Sequence, residues 1–284
     1  MIMTTAVPES PLPDAPNGRR YEGKVAFVTG AARGQGRAVA LRLAAEGADI
    51  IALDICEDLP TTQYAGATEA DLAETARRVE ALDRRIVTTK TDTRDFARVK
   101  SELERGVSEL GRLDVVVANA GMTTTAFAWD MSLENWDATI GINLTGAFYT
   151  AKAAIPIMLE QGTGGAIVFT SSTAGIVGLP LMADYVAAKH GVTGLSKALA
   201  NELAEYRIRV NSVHPYGVNT DLKPGGLHEV LEDKPKLGAM FMPAMSDQYS
   251  EPEDIAAAIA WIASGEARHV TGIQLPVDLG RSNR

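Results

Sequence analysis

From Lys24 onward the chain alternates short apolar runs with longer stretches whose apolar residues recur at helical spacing. Val25-Ala26-Phe27-Val28 and Ile50-Ile51-Ala52-Leu53 are apolar at every position, the pattern of strands buried on both faces. Between them, Val39, Leu43 and Ala44 mark one face of a helix within Arg37–Glu46. Leu72, Ala76, Val79 and Leu82 predict a second helix, and Ile86-Val87 opens a third strand. Phe96, Val99, Leu103, Val107 and Leu110 step by three and four residues, which predicts an amphipathic helix. Further strands are expected at Leu113–Ala118, Ala166–Thr170, Arg209–Val213 and Ile273–Val277. Further helices are expected across Leu144–Leu159, from Asp184 to about Glu205, and over Glu253–Ala263, the last entered through Ser250 and Pro252. Strands that alternate with helices require right-handed crossovers. The expected fold is therefore α/β, a doubly wound parallel sheet in a single domain over residues 23–284.

Two stretches break this rhythm. Residues 1–22 hold Pro8, Pro11, Pro13 and Pro16 and no periodic apolar face, so they are expected as a flexible arm. They show neither the apolar stretch nor the cleavage site of a signal peptide, and Arg19-Arg20 is followed by a strand-like run, so a cytoplasmic location is expected. Residues 217–250 carry Gly225-Gly226 and a group of methionines and a phenylalanine near 240–245, and are expected as an irregular substrate loop. Met240, Phe241, Met242 and Met245 either line an apolar pocket or pack the loop itself.

Composition narrows the functional classes. A 30.1 kDa chain buries about three quarters of its unfolded surface, ample for a large core. The formal charge of −9, with no basic run beyond paired arginines, argues against nucleic acid as a partner. No apolar run approaches the length of a membrane helix. The single cysteine, Cys56, excludes an intrachain disulfide and is expected as a plain buried thiol. His190, His214, His228 and His269 lack metal-ligand spacing with carboxylates or cysteine, so no metal is expected.

Chemistry enters with Thr29-Gly30-Ala31-Ala32-Arg33-Gly34-Gln35-Gly36, which joins the first strand to the first helix. Glycines at 30, 34 and 36 permit a tight turn, close approach of backbone to a pyrophosphate, and close helix–strand contact. The helix N-terminus then offers N–H groups and a positive dipole end, as in a Rossmann-type dinucleotide site. Asp54 ends the second strand about 20 residues on, where a carboxylate accepts hydrogen bonds from ribose hydroxyls and repels a 2′-phosphate. That favours NAD over NADP. Arg33 could neutralise a 2′-phosphate, but Ile55 after Asp54 adds no positive charge. A second constellation sits downstream. Tyr185 and Lys189 are spaced i, i+4 on one helix face, and Ser172 lies at the end of the preceding strand. An ammonium near a phenol lowers its pKa and makes the pair a general acid/base, while a serine hydroxyl orients a carbonyl or alcohol oxygen.

With these motifs the sequence resembles the classical short-chain dehydrogenases/reductases over about residues 23–280. The matching pieces are Thr29–Gly36, Asp54, Asp92, Asn119-Ala120-Gly121, Asn143, Ser172, Tyr185-Val186-Ala187-Ala188-Lys189, and Pro215 with Gly217–Thr220. The resemblance implies that Ser172 positions the substrate oxygen, Tyr185 transfers its proton, Lys189 tunes Tyr185 and holds the nicotinamide ribose, and Asn143 anchors a water in the proton relay. It implies that Asp92 and Thr93 flank the adenine and that Asn119, Ala120 and Gly121 line the cofactor channel. Pro215, Gly217, Val218 and Thr220 would border the nicotinamide and its phosphate. One departure is Tyr216, which stands between Pro215 and Gly217 where the family has adjacent Pro-Gly. The family resemblance also implies a homotetramer.

The lengthened connection from Asp54-Ile55-Cys56 through Ala70, with Val213–Thr220, further resembles the mycofactocin-associated, carveol dehydrogenase-like subfamily. This implies NAD held tightly, with electrons passed to an external redox peptide cofactor. The expected reaction is hydride transfer between NAD(H) and a secondary alcohol or ketone, apolar or alicyclic. An NADP-dependent ketone reductase and a non-catalytic dinucleotide sensor are the alternatives. The intact Ser172, Tyr185 and Lys189 argue against the second of these.

Overall fold

The computed structural model describes residues 19–222, 225, 227–246 and 249–283. Seven strands form one sheet: β1 (Val25–Thr29), β2 (Asp49–Asp54), β3 (Ile86–Lys90), β4 (Val115–Ala118), β5 (Gly165–Thr170), β6 (Ile208–Pro215) and β7 (Gln274–Val277). Their order is β3-β2-β1-β4-β5-β6-β7, and every pairing is parallel. The strand order reverses between β1 and β4, so a crevice opens there at the carboxyl ends of the strands.

The helices are α1 (Gly34–Ala45), α2 (Glu69–Glu80), α3 (Phe96–Leu110), α4 (Leu133–Ile140), α5 (Ala147–Gln161), α6 (Ala183–Leu203), α7 (Leu227–Asp233), α8 (Pro235–Gly238) and α9 (Pro252–Ala263). Because helices cover both faces, the central strands are buried throughout: every residue of β1 and β4 is inaccessible, as their continuous apolar sequences require. One core layer joins Val28, Val39, Leu43 and Ile50 to Ile255 and Ile259 of α9. The other joins Phe27, Ile51 and Leu53 to Val99, Leu103 and Ala154.

Several boundaries differ from the sequence expectation, each for a local reason. Of the expected arm, residues 1–18 lie outside the described residues, but Arg19–Glu22 belong to the domain. Tyr21 is 2% exposed and donates to the Ala260 carbonyl, while Arg20 pairs with the buried Glu46. The helix expected to begin near Leu144 starts at Leu133, capped by the Ser132 hydroxyl, and passes through a π turn at Gly141–Gly146. Leu133 and Trp136 are exposed, so this first part shows no apolar stripe to read. The helix α9 begins at Pro252, and at its N-terminus the Asp254 carboxylate accepts from Glu251 N at 2.9 Å. The stretch 217–250 is not irregular throughout, since α7, α8 and a 3₁₀ turn at Ala239–Phe241 lie within it.

Candidate active site

A cavity of about 860 Å³ occupies the crevice at the carboxyl ends of the strands. Gly30, Arg33, Gly34, Gln35, Gly36, Asp54, Ile55, Asp92 and Thr93 line one half of it. Asn119, Ala120, Gly121, Ser172, Tyr185, Lys189, Pro215, Gly217, Val218 and Thr220 line the rest. Nineteen residues expected from the sequence thus meet in one space.

The turn after β1 closes because Gly36 has no side chain. A Cβ there would lie 1.9 Å from the Gly30 carbonyl oxygen, and Gly30 itself sits at φ +67°. The first turn of α1 has no side-chain cap, so its N–H groups face the cavity free for an anion. Asp54, 7% exposed, braces this turn: its oxygens accept from Ala32 N at 2.9 Å and Cys56 N at 3.0 Å. Asp92 is gripped by the Arg94 guanidinium at 2.6 Å. Gln35 Oε1, Thr170 Oγ1 and Thr173 Oγ1 are buried along the cavity without a protein partner. Free helix N–H groups, orphaned polar atoms and a ribose-side carboxylate together fit a dinucleotide.

Arg33 lines the cavity and makes contacts on both sides of it. Its guanidinium donates to the Ala65 carbonyl and lies 3.4 Å from the Asp221 carboxylate. It thereby joins the connection after β2 to the segment after β6 across the crevice. The same connection carries Tyr64, whose hydroxyl accepts from Thr123 N at 3.2 Å. The lengthened connection is visible in the sequence, but nothing there singles out Tyr64.

Around the catalytic candidates, Ser172 caps the 3₁₀ turn Thr173–Gly175: its Oγ accepts from Ala174 N at 3.1 Å, and its hydroxyl proton faces the Tyr185 phenol. The Ser172 carbonyl takes a 2.7 Å hydrogen bond from His214 Nδ1, and His214 Nε2 faces the Ser212 hydroxyl at 2.8 Å. A carbonyl only accepts, so Nδ1 carries the proton and Nε2 accepts from Ser212. Burial lowers the His214 pKa to about 4, keeping it neutral. The first turn of α6 holds Asp184, fully buried, which accepts from Tyr185 N at 2.8 Å, Thr124 Oγ1 at 2.8 Å and Thr139 Oγ1 at 2.7 Å. Sequence reasoning missed Asp184 and the link from His214 to Ser172. The signal for Asp184 was a carboxylate at the start of the helix that carries Tyr185.

Lys189 donates to the Thr170 carbonyl at 2.8 Å and lies 5.4 Å from the centre of the Tyr185 ring. Burial pushes Tyr185 up to about 12, opposed by a hydrogen bond from Ser172. Burial also lowers Lys189 to about 8. Asn143 stands behind the cavity wall rather than on it. In the π turn its Nδ2 donates to Met122 O at 2.9 Å and Thr139 O at 3.0 Å, and its Oδ1 lies 2.8 Å from where a Cβ on Gly121 would stand.

The apolar end of the cavity is formed by Leu179, Met182, Leu222, Leu227, Leu231 and Phe241. Of the Met/Phe group, only Phe241 faces inward; Met240, Met242 and Met245 are 44%, 60% and 57% exposed. Cys56 is a buried thiol pushed up to about 12 by burial and by Asp54, and so stays protonated. His228 has no described side chain. Among the described residues no group of three or more His, Cys, Asp or Glu side chains is placed to hold a metal, and no helix is long and apolar enough to cross a membrane.

A parallel sheet with a glycine turn at its reversal point, and a serine, tyrosine and lysine converging beside it, defines a dinucleotide-dependent oxidoreductase. The short chain dehydrogenase family model matches residues 24–228, and the chain belongs to that family. It is 49% identical to an uncharacterized oxidoreductase of Mycobacterium tuberculosis (strain CDC 1551 / Oshkosh), over 94% of this chain and 98% of the other. A short chain dehydrogenase from Mycobacterium paratuberculosis, solved bound to NAD, superposes with a TM-score of 0.91 at 48% identity, covering 93% of this chain and 100% of that one. Carveol dehydrogenase from Mycobacterium avium, solved in complex with NAD, gives a TM-score of 0.86 at 44% identity, covering 93% and 99%.

Proposed function

We propose that this enzyme interconverts an apolar, alicyclic secondary alcohol and its ketone, with NAD as the hydride carrier. The observation that carries this reading is the meeting of Ser172, Tyr185 and Lys189 with an uncapped α1 N-terminus and the Asp54 carboxylate in one cavity with an apolar end. The NAD-bound relatives of similar sequence and fold support the choice of cofactor. When bound, NAD supplies the hydride acceptor and a positive charge beside the phenol. Ser172 donates to the substrate oxygen the hydroxyl proton that faces Tyr185 in the ligand-free chain, and so orients the carbinol. The Tyr185 phenol would first lose its own proton to solvent, favoured by the positive charges of Lys189 and of bound NAD; its oxygen then takes the alcohol's proton in oxidation, and the protonated phenol gives its proton in reduction. Lys189, fixed on the Thr170 carbonyl, holds a positive charge at the site and reaches the nicotinamide ribose. Asn143, locked by Met122 and Thr139, keeps Gly121 and Lys189 in register from behind and anchors the relay water. Asp54 receives the adenosine ribose hydroxyls and disfavours a 2′-phosphate, which sets NAD above NADP. Asp92 and Thr93 flank the adenine, and Asn119–Gly121, Pro215, Gly217, Val218 and Thr220 border the rest of the cofactor.

The finer reading is that NAD is held tightly and its electrons leave to an external acceptor, of the mycofactocin type. Supporting it, Arg33 spans from Ala65 to Asp221 and Tyr64 reaches Thr123, so the connection after β2 bridges the crevice that a dinucleotide would occupy. Native mass spectrometry of dialysed protein tests it. Retained NAD, with alcohol oxidation that depends on an artificial electron acceptor, is the expected result. Protein free of nucleotide that turns over readily on added NAD contradicts tight holding, and retained NADP contradicts the role given to Asp54.

A further inference from the structure

The family pattern places glycine directly after the proline that ends β6; this chain has Tyr216 there, at the mouth of the apolar end of the cavity. Its hydroxyl donates to the Phe241 carbonyl, 25 residues away in sequence. One residue earlier in the same 3₁₀ turn, the Met240 carbonyl receives the guanidinium of Arg281, which is 6% exposed. The chain just beyond this turn is tied as well. Ala244 N and Met245 N both donate to the Leu279 carbonyl, at 2.9 and 3.0 Å. Leu279 adopts φ +55°, a left-handed conformation costly for a branched side chain, and the Asp278 carboxylate holds the following turn through Gly280 N and Ser282 N. A strained residue kept in place by a cluster of ties marks a position that the surroundings over-determine.

The result of these ties is the orientation of one ring. Phe241, like Tyr185, packs against the cluster of Ala174, Leu179 and Met182, while its neighbours Met240 and Met242 face solvent. We propose that Tyr216 is a positioning residue that sets substrate specificity: with Arg281 it fixes the backbone of Ala239–Phe241, so that Phe241, Leu179 and Met182 form an apolar wall beside Tyr185 shaped for the ring of an alicyclic alcohol. This rests on the alcohol-oxidising function proposed above. A glycine at 216 has no donor for the Phe241 carbonyl and leaves the turn to Arg281 alone.

The test compares wild type, Tyr216→Phe, Phe241→Ala and the double variant, with cyclohexanol and propan-2-ol as substrates. Hydrogen exchange of the segment 239–246 is followed in parallel. Tyr216→Phe keeps the ring and removes only the donor. It should speed exchange in that segment and raise the ratio of KM for cyclohexanol to KM for propan-2-ol about fivefold, as expected for one lost hydrogen bond. Phe241→Ala should raise that ratio about tenfold or more. The double variant should be no worse than Phe241→Ala alone, because Tyr216 acts through Phe241. Additive effects, equal KM changes for both alcohols, or unchanged exchange in Tyr216→Phe overturn the proposal. If the wild type oxidises neither alcohol while Tyr216→Phe still loosens the segment, the functional reading fails and the tie itself stands.

Discussion

Burial dominates the ionisation of the residues around Ser172. Tyr185 is pushed up to about 12 and Lys189 down to about 8, both by removal from water, so the ligand-free site is poised with a protonated phenol. His214 beneath Ser172 is held neutral down to about pH 4 by the same cause. The stability consequence follows from proton counting. Below its ordinary value of 6.5 the unfolded chain protonates this imidazole, whereas the folded chain does not until about pH 4, so stability falls as pH drops through that window. The loss at its lower end is on the order of 3 kcal/mol. A His214→Asn variant, which keeps a donor toward the Ser172 carbonyl, should therefore show a flatter dependence of Tm on pH between 6.5 and 4; an unchanged slope argues that other groups carry the acid sensitivity. The sequence placed His214 only as a histidine without metal spacing. Its partner is a backbone carbonyl 42 residues away, a relation that no periodicity encodes.

At the scale of elements, the site depends on close backbone approaches more than on side-chain chemistry. The turn from β1 into α1 was legible because glycine spacing reports directly on where a Cβ has no room, and Gly36 is the sharpest case. Gly36→Ala should abolish measurable nucleotide retention and lower Tm, because the colliding atoms at 1.9 and 2.6 Å belong to the Gly30 backbone and cannot rotate away; calorimetry and nucleotide quantification check both, and a variant that keeps its nucleotide contradicts the account. Strands β1, β2 and β4 were legible for the same reason, since fully buried strands have nowhere to place a polar residue. The helix α4 was not, because its large apolar residues face solvent, and the π turn that follows shifts the helical phase around Asn143. The Met/Phe segment could not be resolved from sequence either. Consecutive residues of a 3₁₀ turn point in different directions, and tertiary ties from Tyr216 and Arg281 decide which one faces the cavity.

Across the whole molecule, the sheet order and the site reinforce each other. The reversal between β1 and β4 opens the crevice, and strand ends from β1 to β6 each deliver a residue to it. The overall architecture was readable from alternation alone; the covering of the crevice by Tyr64 and Arg33 was not, since it depends on where a long connection folds back. Apolar side chains remain on the outer helices, among them Phe148 on α5 and Trp261 on α9, at 39% and 38% exposure. The family resemblance implies a homotetramer that would cover such surfaces, for which light scattering should give about four times 30.1 kDa; a monomeric mass contradicts it. The central claim is that Tyr185 moves the alcohol's proton while hydride passes to NAD. It is tested most directly by loading wild type and Tyr185→Phe with NAD, adding an alicyclic secondary alcohol, and following nicotinamide reduction in a single turnover. The account predicts reduction in the wild type and a rate lower by about 10²–10⁴ in Tyr185→Phe with NAD still bound; equal rates in the two proteins would contradict it.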